Sequence, residues 1–218
     1  MNLNTKVRLL QGFNHIVTIP AVVYAVYTQQ YYLFAIAAIS WLIIGPISSV
    51  ITLHRLLTHS DREGDPHSSW ADGKFNFKEA IKVWLGYDWK VPAIPVRYIK
   101  DLMRSPTHKF IFKNYFKIIF AFSAVLLLID PALWLFAYVV PASMTVHLIG
   151  VVNVLGHYHG YRNHETKDHS SNSWIANIVS LGEGWHNNHH AKPANYHTGE
   201  KWWEWDLMGS LIKLIKID

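Results

Sequence analysis

Residues 131–157 read PALWLFAYVVPASMTVHLIGVVNVLGH. From Pro131 to Asn153 no side chain carries a formal charge, and a bilayer takes about 20 mostly apolar residues to cross. At the end of the run, Asn153 and His157 stand four positions apart and share one face of a helix. An apolar span thus delivers a metal-binding type of side chain at its mouth. That conjunction predicts membrane-crossing helices with imidazoles gathered at their ends.

The pattern repeats outward. Tyr31–Leu53 is also uncharged, and His54-Arg-Leu-Leu-Thr-His59 follows it directly. Phe13–Tyr27 is weaker, carrying Asn14, His15 and Pro20, and Tyr115–Ile129 carries Lys117 near its start. Thr28–Tyr31 joins the first pair and Asp130-Pro131 the second, so each pair reads as a tight helical hairpin. The first run leads straight into the next span, which argues against a cleaved signal peptide. Four buried helices of a soluble protein is the competing reading, and two long uncharged runs speak against it.

Charge then orients the chain. Of 20 Lys and Arg, two lie in residues 1–12, twelve in residues 54–117 and six after residue 157, with none in the short connections. By the positive-inside rule, both termini and the segments between the hairpins face the cytoplasm. The expectation is an all-α, multi-pass membrane protein and a single domain, residues 1–218. Its four transmembrane helices lie at about 13–27, 31–53, 115–129 and 131–153. A cytoplasmic helical cap, residues 54–114 and 154–218, carries a histidine-rich metal site.

Composition narrows the function. Among 218 residues half are hydrophobic and 16% charged, which excludes a disordered chain. No cysteine is present, so disulfides, zinc ribbons, iron–sulfur clusters and thiolate-ligated haem are excluded. The net charge of +5 suits anionic lipid headgroups. Basic and acidic residues are interleaved without a nucleic-acid motif, so no nucleic-acid partner is expected. Within the cap, Asp61–Lys74 reads as loop, Phe77–Leu85 as a short amphipathic helix and Val91–Pro95 as a turn. Tyr161–Ser173 reads as a polar loop and Trp174–Leu181 as a helix. Lys201–Trp205 reads as an aromatic, basic end, either at headgroup level or as a packed surface helix.

Three of the clusters formed by the 14 histidines matter. His54 and His59 follow the second span, and Asn153 with His157 closes the fourth. His186, His189 and His190 stand at i, i+3 and i+4 on one helix face. Six histidines exceed the four ligands of one zinc ion and suit two metals. Imidazole without thiolate suits iron among the first-row metals. His108, His147, His159, His164, His169 and His197 fit no such spacing and read as packed or solvated.

The stretches His54–His59, Glu63-Gly-Asp-Pro-His67, Asn153–His157 leading into Gly160-Tyr-Arg-Asn-His164-Glu165, and Gly182-Glu-Gly-Trp-His-Asn-Asn-His-His190 resemble the membrane fatty acid desaturases of the stearoyl-CoA (delta-9) type, bacterial branch. The resemblance implies a non-haem di-iron site, dioxygen as oxidant and a fatty acyl substrate dehydrogenated near its middle. It implies His54, His59, His157, His186, His189 and His190 as metal ligands and Asn153 as a ligand through water. Glu183, three residues before His186, reads either as an acceptor for an imidazole N–H or as a carboxylate facing solvent. It also implies membrane lipid as surroundings and an external electron donor of the ferredoxin or cytochrome b5 type. One departure stands out. The family carries a middle His-x-x-His-His box, whereas here His59 runs at once into Ser60-Asp-Arg-Glu-Gly-Asp-Pro-His67. The paired arginines that usually follow Asp-Pro-His are replaced by Ser69, Trp70, Ala71 and Asp72, which argues against acyl-CoA as the carrier. The expected function is an O2-dependent fatty acyl desaturase impaired by the missing box. The alternatives are a degenerate, non-catalytic metal- or lipid-binding member and a related fatty acyl hydroxylase.

Overall fold

The computed structural model describes residues 3–48, 70–71, 74–85, 104, 106–192 and 195–215. Its helices are α1 (Leu3–Tyr27), α2 (Tyr32–Ser48), α3 (Phe77–Leu85), α4 (Pro106–Ile129), α5 (Pro131–Gly156), α6 (Trp174–Ser180), α7 (His186–Ala191) and α8 (Leu207–Ile215). Two short strands, β1 (Trp70–Ala71) and β2 (Lys74–Phe75), pair antiparallel with Trp70 opposite Phe75. The chain divides into two compact units, Met1–Leu56 with Val91–Thr145 and Leu57–Lys90 with Val146–Asp218.

The first unit is built from the two hairpins. Apart from Tyr31, which lies in the turn before α2, each predicted span is helical over its described residues, although α1 begins at Leu3, well before Phe13, and α5 runs on to Gly156. Arg8–Tyr27 and Pro131–Gly156 are long and apolar enough to cross a membrane, and Tyr32–Ile43 is a shorter apolar stretch. The α1–α2 turn is a Schellman cap. Gln29 sits at φ 57°, the Gln30 N–H reaches the Ala25 carbonyl at 2.9 Å, and the Gln29 N–H reaches that of Val26 at 3.2 Å. The α4–α5 turn is set by Asp130, whose Oδ1 accepts from the Leu133 N–H at 2.8 Å, with Pro131 at the first helical position.

Small residues bring the helices together. Ala21 and Ala25 of α1, Leu33 and Ala37 of α2, and Phe136 and Val140 of α5 form the buried cluster. Phe34 meets Phe136 edge-on at 5.7 Å. Pro141, an apparent interruption in the sequence, has a specific consequence. It lacks the N–H that the Ala137 carbonyl would otherwise take four residues on. The helix widens into a π-turn over Leu135–Val139, and the Ser40 hydroxyl donates to the Ala137 carbonyl at 2.5 Å. The outward surface is apolar: Ile16, Ile19 and Val23 on α1 and Leu128 and Ile129 on α4 are exposed.

In the second unit, α3 packs on the last turns of α5. Asn76 caps α3 by accepting from the Lys78 and Glu79 N–H groups at 3.0 and 3.3 Å. Ala80 and Val83 are buried with Val154, and Phe75 completes the cluster. A Cβ on Gly150 would fall 2.4 Å from the Trp84 carbonyl oxygen, so glycine there permits the close crossing. Trp84 Nε1 also donates to His147 Nδ1 at 3.1 Å, which gives that histidine a packing role. The segment read as loop up to Lys74 ends in the β1–β2 pairing, with Trp70 opposite Phe75 and Ala71 opposite Lys74. Val91–Pro95 and residues 61–69 lie outside the described residues.

Candidate metal centre

Apolar and small residues carry α5 to Gly156, and His157 follows immediately. After the loop 161–173 and α6, the chain turns through Leu181 at φ 59° and Gly182 at φ 147° and enters α7 at His186. These turns tolerate no larger residue at Gly184, where a Cβ would lie 2.1 Å from the Asn177 backbone nitrogen. Gly156 is equally constrained: a Cβ there would lie 2.8–2.9 Å from the imidazole and Cβ of His186. The missing side chain at 156 is the space that lets the His186 ring sit beside His157.

The result is a tight group of imidazoles. Ligand atoms of His157, His186 and His190 all lie within 4.8 Å of one another. His157 Nε2 and His186 Nε2 are 3.1 Å apart, and the three ring centroids are separated by 4.3–5.1 Å. All three side chains are almost fully buried. Two imidazole nitrogens facing each other at this distance share either a proton or a cation. Two nitrogens bound at about 2.1 Å to one metal would themselves be about 3–3.4 Å apart, so the pair fits a common metal. The donor set is all imidazole, which suits iron and other first-row metals. His189, also buried, lies on the same short helix with its ring 6.1 and 5.8 Å from those of His186 and His190. Asn153 is buried one turn before His157. His54 and His59 lie outside the described residues.

A polar core behind α7 aims these histidines. Asn172 Oδ1 accepts from the Asn187 and Asn188 N–H groups at 3.0 and 3.2 Å, closing the start of α7. Asn187 Oδ1 takes the Asn163 and His164 N–H groups at 2.9 and 2.8 Å. Asn188 donates to the Thr198 carbonyl at 2.9 Å and to Glu204 Oε2 at 2.8 Å. Glu204 also accepts from Tyr161, Asn163 and the Glu200 and Lys201 N–H groups. Burial pushes the Glu204 carboxyl up, but these bonds outweigh it and hold the group below the usual glutamate range. Burial, then the bond to Glu204 and its charge, raise the Tyr161 hydroxyl well above the usual tyrosine value. Trp185 is fully buried, stacks edge-on with Trp174 at 4.9 Å and donates to the Trp205 carbonyl at 2.8 Å.

Two further carboxylates come from the segments that precede α7. Asp168 Oδ2 lies 2.8 Å from His190 Nδ1, and its Oδ1 accepts from the Ser170 N–H at 2.7 Å and the Thr166 hydroxyl at 2.8 Å. Glu183 lies in the turn before α7; burial, then the charge of Asp206, push its carboxyl up to about 8. Sequence reasoning singled out Glu183 and passed over Asp168, Asn172, Asn187 and Asn188. The loop residues carried no periodic signal. The two asparagines did stand inside the histidine run, at the positions a helix turns away from the histidine face. His164 and His197 pair elsewhere, His164 with Glu200 at 2.8 Å and His197 with the Gly199 carbonyl at 3.1 Å.

Comparison with known proteins shows the family. Residues 13–205 match the family described as fatty acid desaturase. A sn-1 stearoyl-lipid 9-desaturase of Anabaena variabilis is 34% identical over 79% of this chain and 62% of its own length. A protein of the same name from Synechocystis sp. (strain ATCC 27184 / PCC 6803 / Kazusa) is 31% identical over 79% of this chain and 54% of its own. A delta-9 acyl-lipid desaturase 2 of Arabidopsis thaliana is 30% identical over 85% and 60%. The chain thus spans a little over half the length of these relatives.

Proposed function

As the chain belongs to the fatty acid desaturase family, we propose that it is an O2-dependent membrane desaturase acting on a saturated acyl chain carried by a membrane lipid. The observation that carries the reading is the convergence of His157, His186 and His190 ligand atoms within 4.8 Å at the end of an apolar helix. The lipid carrier is supported by the names of the similar proteins and by the absence of arginines after Asp65-Pro66-His67.

The reaction removes two hydrogens from adjacent methylenes. Dioxygen is reduced to two waters, taking two electrons and two hydrogens from the C–H bonds, two electrons from a donor protein of the ferredoxin or cytochrome b5 type, and two protons from solvent. No side-chain acid or base can abstract hydrogen from an unactivated methylene, so bound iron would supply the oxidising chemistry. The protein's part is positional. His157, His186 and His190 would hold metal, with His54, His59 and His189 as further ligands and Asn153 through water. Burial of the imidazoles excludes water, and the Asn172–Asn188–Glu204 network fixes the helix that bears three of them. Four membrane-spanning helices with both termini and the metal site on the cytoplasmic side agree with the distribution of Lys and Arg.

The absent middle box favours a weakened enzyme. With six candidate histidines for two irons, each iron would have about three imidazoles, and Asp61, Glu63 and Asp65 are the nearest carboxylates in sequence. The test is iron content per chain together with fatty acid analysis of cells expressing it. Iron bound at less than two per chain, with a small unsaturated product, is the expected result. Two irons and full product would refute the impairment; a hydroxylated product would refute desaturation. No iron would refute the metal site.

A further inference from the structure

We propose that Asp168 is a positioning residue that sets the tautomer and the aim of His190, an inference that rests on reading the histidine cluster as a metal site. A neutral imidazole has one N–H and one lone pair. At 2.8 Å from Asp168 Oδ2, Nδ1 of His190 must carry the proton, because an ionised carboxylate only accepts. Nε2 is then left as the lone pair, on the side of the ring away from Asp168. In free histidine the opposite tautomer dominates, so the carboxylate selects the form that can ligate.

The carboxylate is itself fixed. Its Oδ1 takes the Ser170 N–H and the Thr166 hydroxyl. Arg162 braces the loop, donating to the Asp168 carbonyl at 2.8 Å and to the Thr166 carbonyl at 3.0 Å and hydroxyl at 2.9 Å. Both Asp168 oxygens are thus engaged, and the one near the cluster faces Nδ1. Asp168 acts through His190 and not as a ligand. Its negative charge also makes the imidazole a stronger donor to a cation.

Asp168→Asn inverts this arrangement. The backbone N–H of Ser170 requires an acceptor, so the amide oxygen stays on that side and the amide NH2 faces His190. The ring must then accept at Nδ1 and carry its proton on Nε2, the atom needed for metal.

The experiment uses the full chain, metal-free and with 15N-labelled histidine, in detergent. Wild type, Asp168→Asn, His190→Ala and the double variant are compared by ring 15N spectra and by Co(II) titration against a chelator. The expected result is an Nδ1–H tautomer for His190 in wild type and Nε2–H in Asp168→Asn. Co(II) affinity should fall about 10–100-fold in Asp168→Asn. In the His190→Ala background, Asp168→Asn should cost nothing further. An unchanged tautomer overturns the proposal, as does an equal loss of affinity in both backgrounds. A chain that binds no Co(II) at all refutes the metal reading instead, and the 15N spectra then decide the tautomer control on their own.

Discussion

The hairpin unit is closed by alanines, valine, leucine and an aromatic pair, whereas the interior of the histidine-bearing unit is largely amide, hydroxyl and carboxylate. Ala21, Ala25 and Ala37 let helices approach closely, the kind of contact that holds helices together where the solvent is as apolar as the side chains. Ser170, Asn172, Ser173, Asn177, Asn187 and Asn188 are buried around α7 instead. Apolar packing fixes helices against each other but leaves rotation and small slides inexpensive. A network of hydrogen bonds has direction, and it stays favourable only in one geometry. The unit that must hold imidazoles in place uses the second kind of core.

The sharpest way to break this contrast is at Asn172. Asn172→Leu keeps the branched outline but strips the acceptor from the Asn187 and Asn188 N–H groups and the donor from Asn188 Oδ1. Each stranded group costs about 1–3 kcal/mol, so a loss on the order of 3–5 kcal/mol is expected in the second unit. Limited proteolysis should cut within residues 157–206 while the hairpins stay protected. Equal proteolysis of both units would erase the distinction between them.

Two glycines give the next test. Gly156→Ala places a methyl against the His186 ring, and overpacking of this kind costs about 1–3 kcal/mol. Metal affinity should fall with it, because the ring must leave His157. Gly12 in α1 meets nothing within 4 Å, so Gly12→Ala should stabilise α1 by about 0.5–1 kcal/mol. Thermal unfolding in detergent checks both, and a destabilised Gly12→Ala would show that α1 is packed where the structure leaves space.

A smaller effect separates the units by pH. The Glu204 carboxyl is held below its ordinary value in the folded chain. Its stabilisation is therefore complete above the unfolded glutamate pKa and is lost as pH falls through the lower folded value. The polar unit should loosen in acid, as followed by exposure of buried Trp185. Tyr161→Phe removes one bond to the charged form and should move that loosening to higher pH. Glu183 works in the opposite sense. Its pKa is raised to about 8, so its contribution to stability declines as pH rises from about 4.5 toward 8. An acid profile unmoved by Tyr161→Phe would remove Glu204 from the account.

Much of this contrast was legible in the sequence, unevenly. Hydropathy located the helix 131–153, because a long uncharged run has few other readings; the run 13–27 was weaker, and its helix begins earlier, at Leu3. Spacing grouped His186 with His190, because i and i+4 fall on one face whatever the surroundings. The convergence of His157 with them needed the topology, since 29 positions separate His157 from His186. Asp168 and Asn172 sit in a loop, where no period links a residue to its partner, and only the folded contacts reveal them. Pro141 read as an interruption; the hydroxyl that compensates for it lies 97 residues away from Ala137, in another helix.

That compensation is also the most local prediction, and it tests whether a directional bond between helices supports the apolar unit. Ser40→Ala leaves the Ala137 carbonyl with no hydroxyl, in a π-turn that already exists because Pro141 offers no N–H. The helix cannot tighten back to an α-turn there, since the donor is missing in either form. The loss should therefore be that of one hydrogen bond, about 0.5–1.5 kcal/mol, read from thermal unfolding in detergent. Pro141→Ala alone should allow the turn to close and make Ser40 dispensable. In the Pro141→Ala background, Ser40→Ala should cost close to nothing, and the coupling between the two positions measures the bond. A full loss from Ser40→Ala in that background would mean that the serine acts by packing and not through its bond to the Ala137 carbonyl.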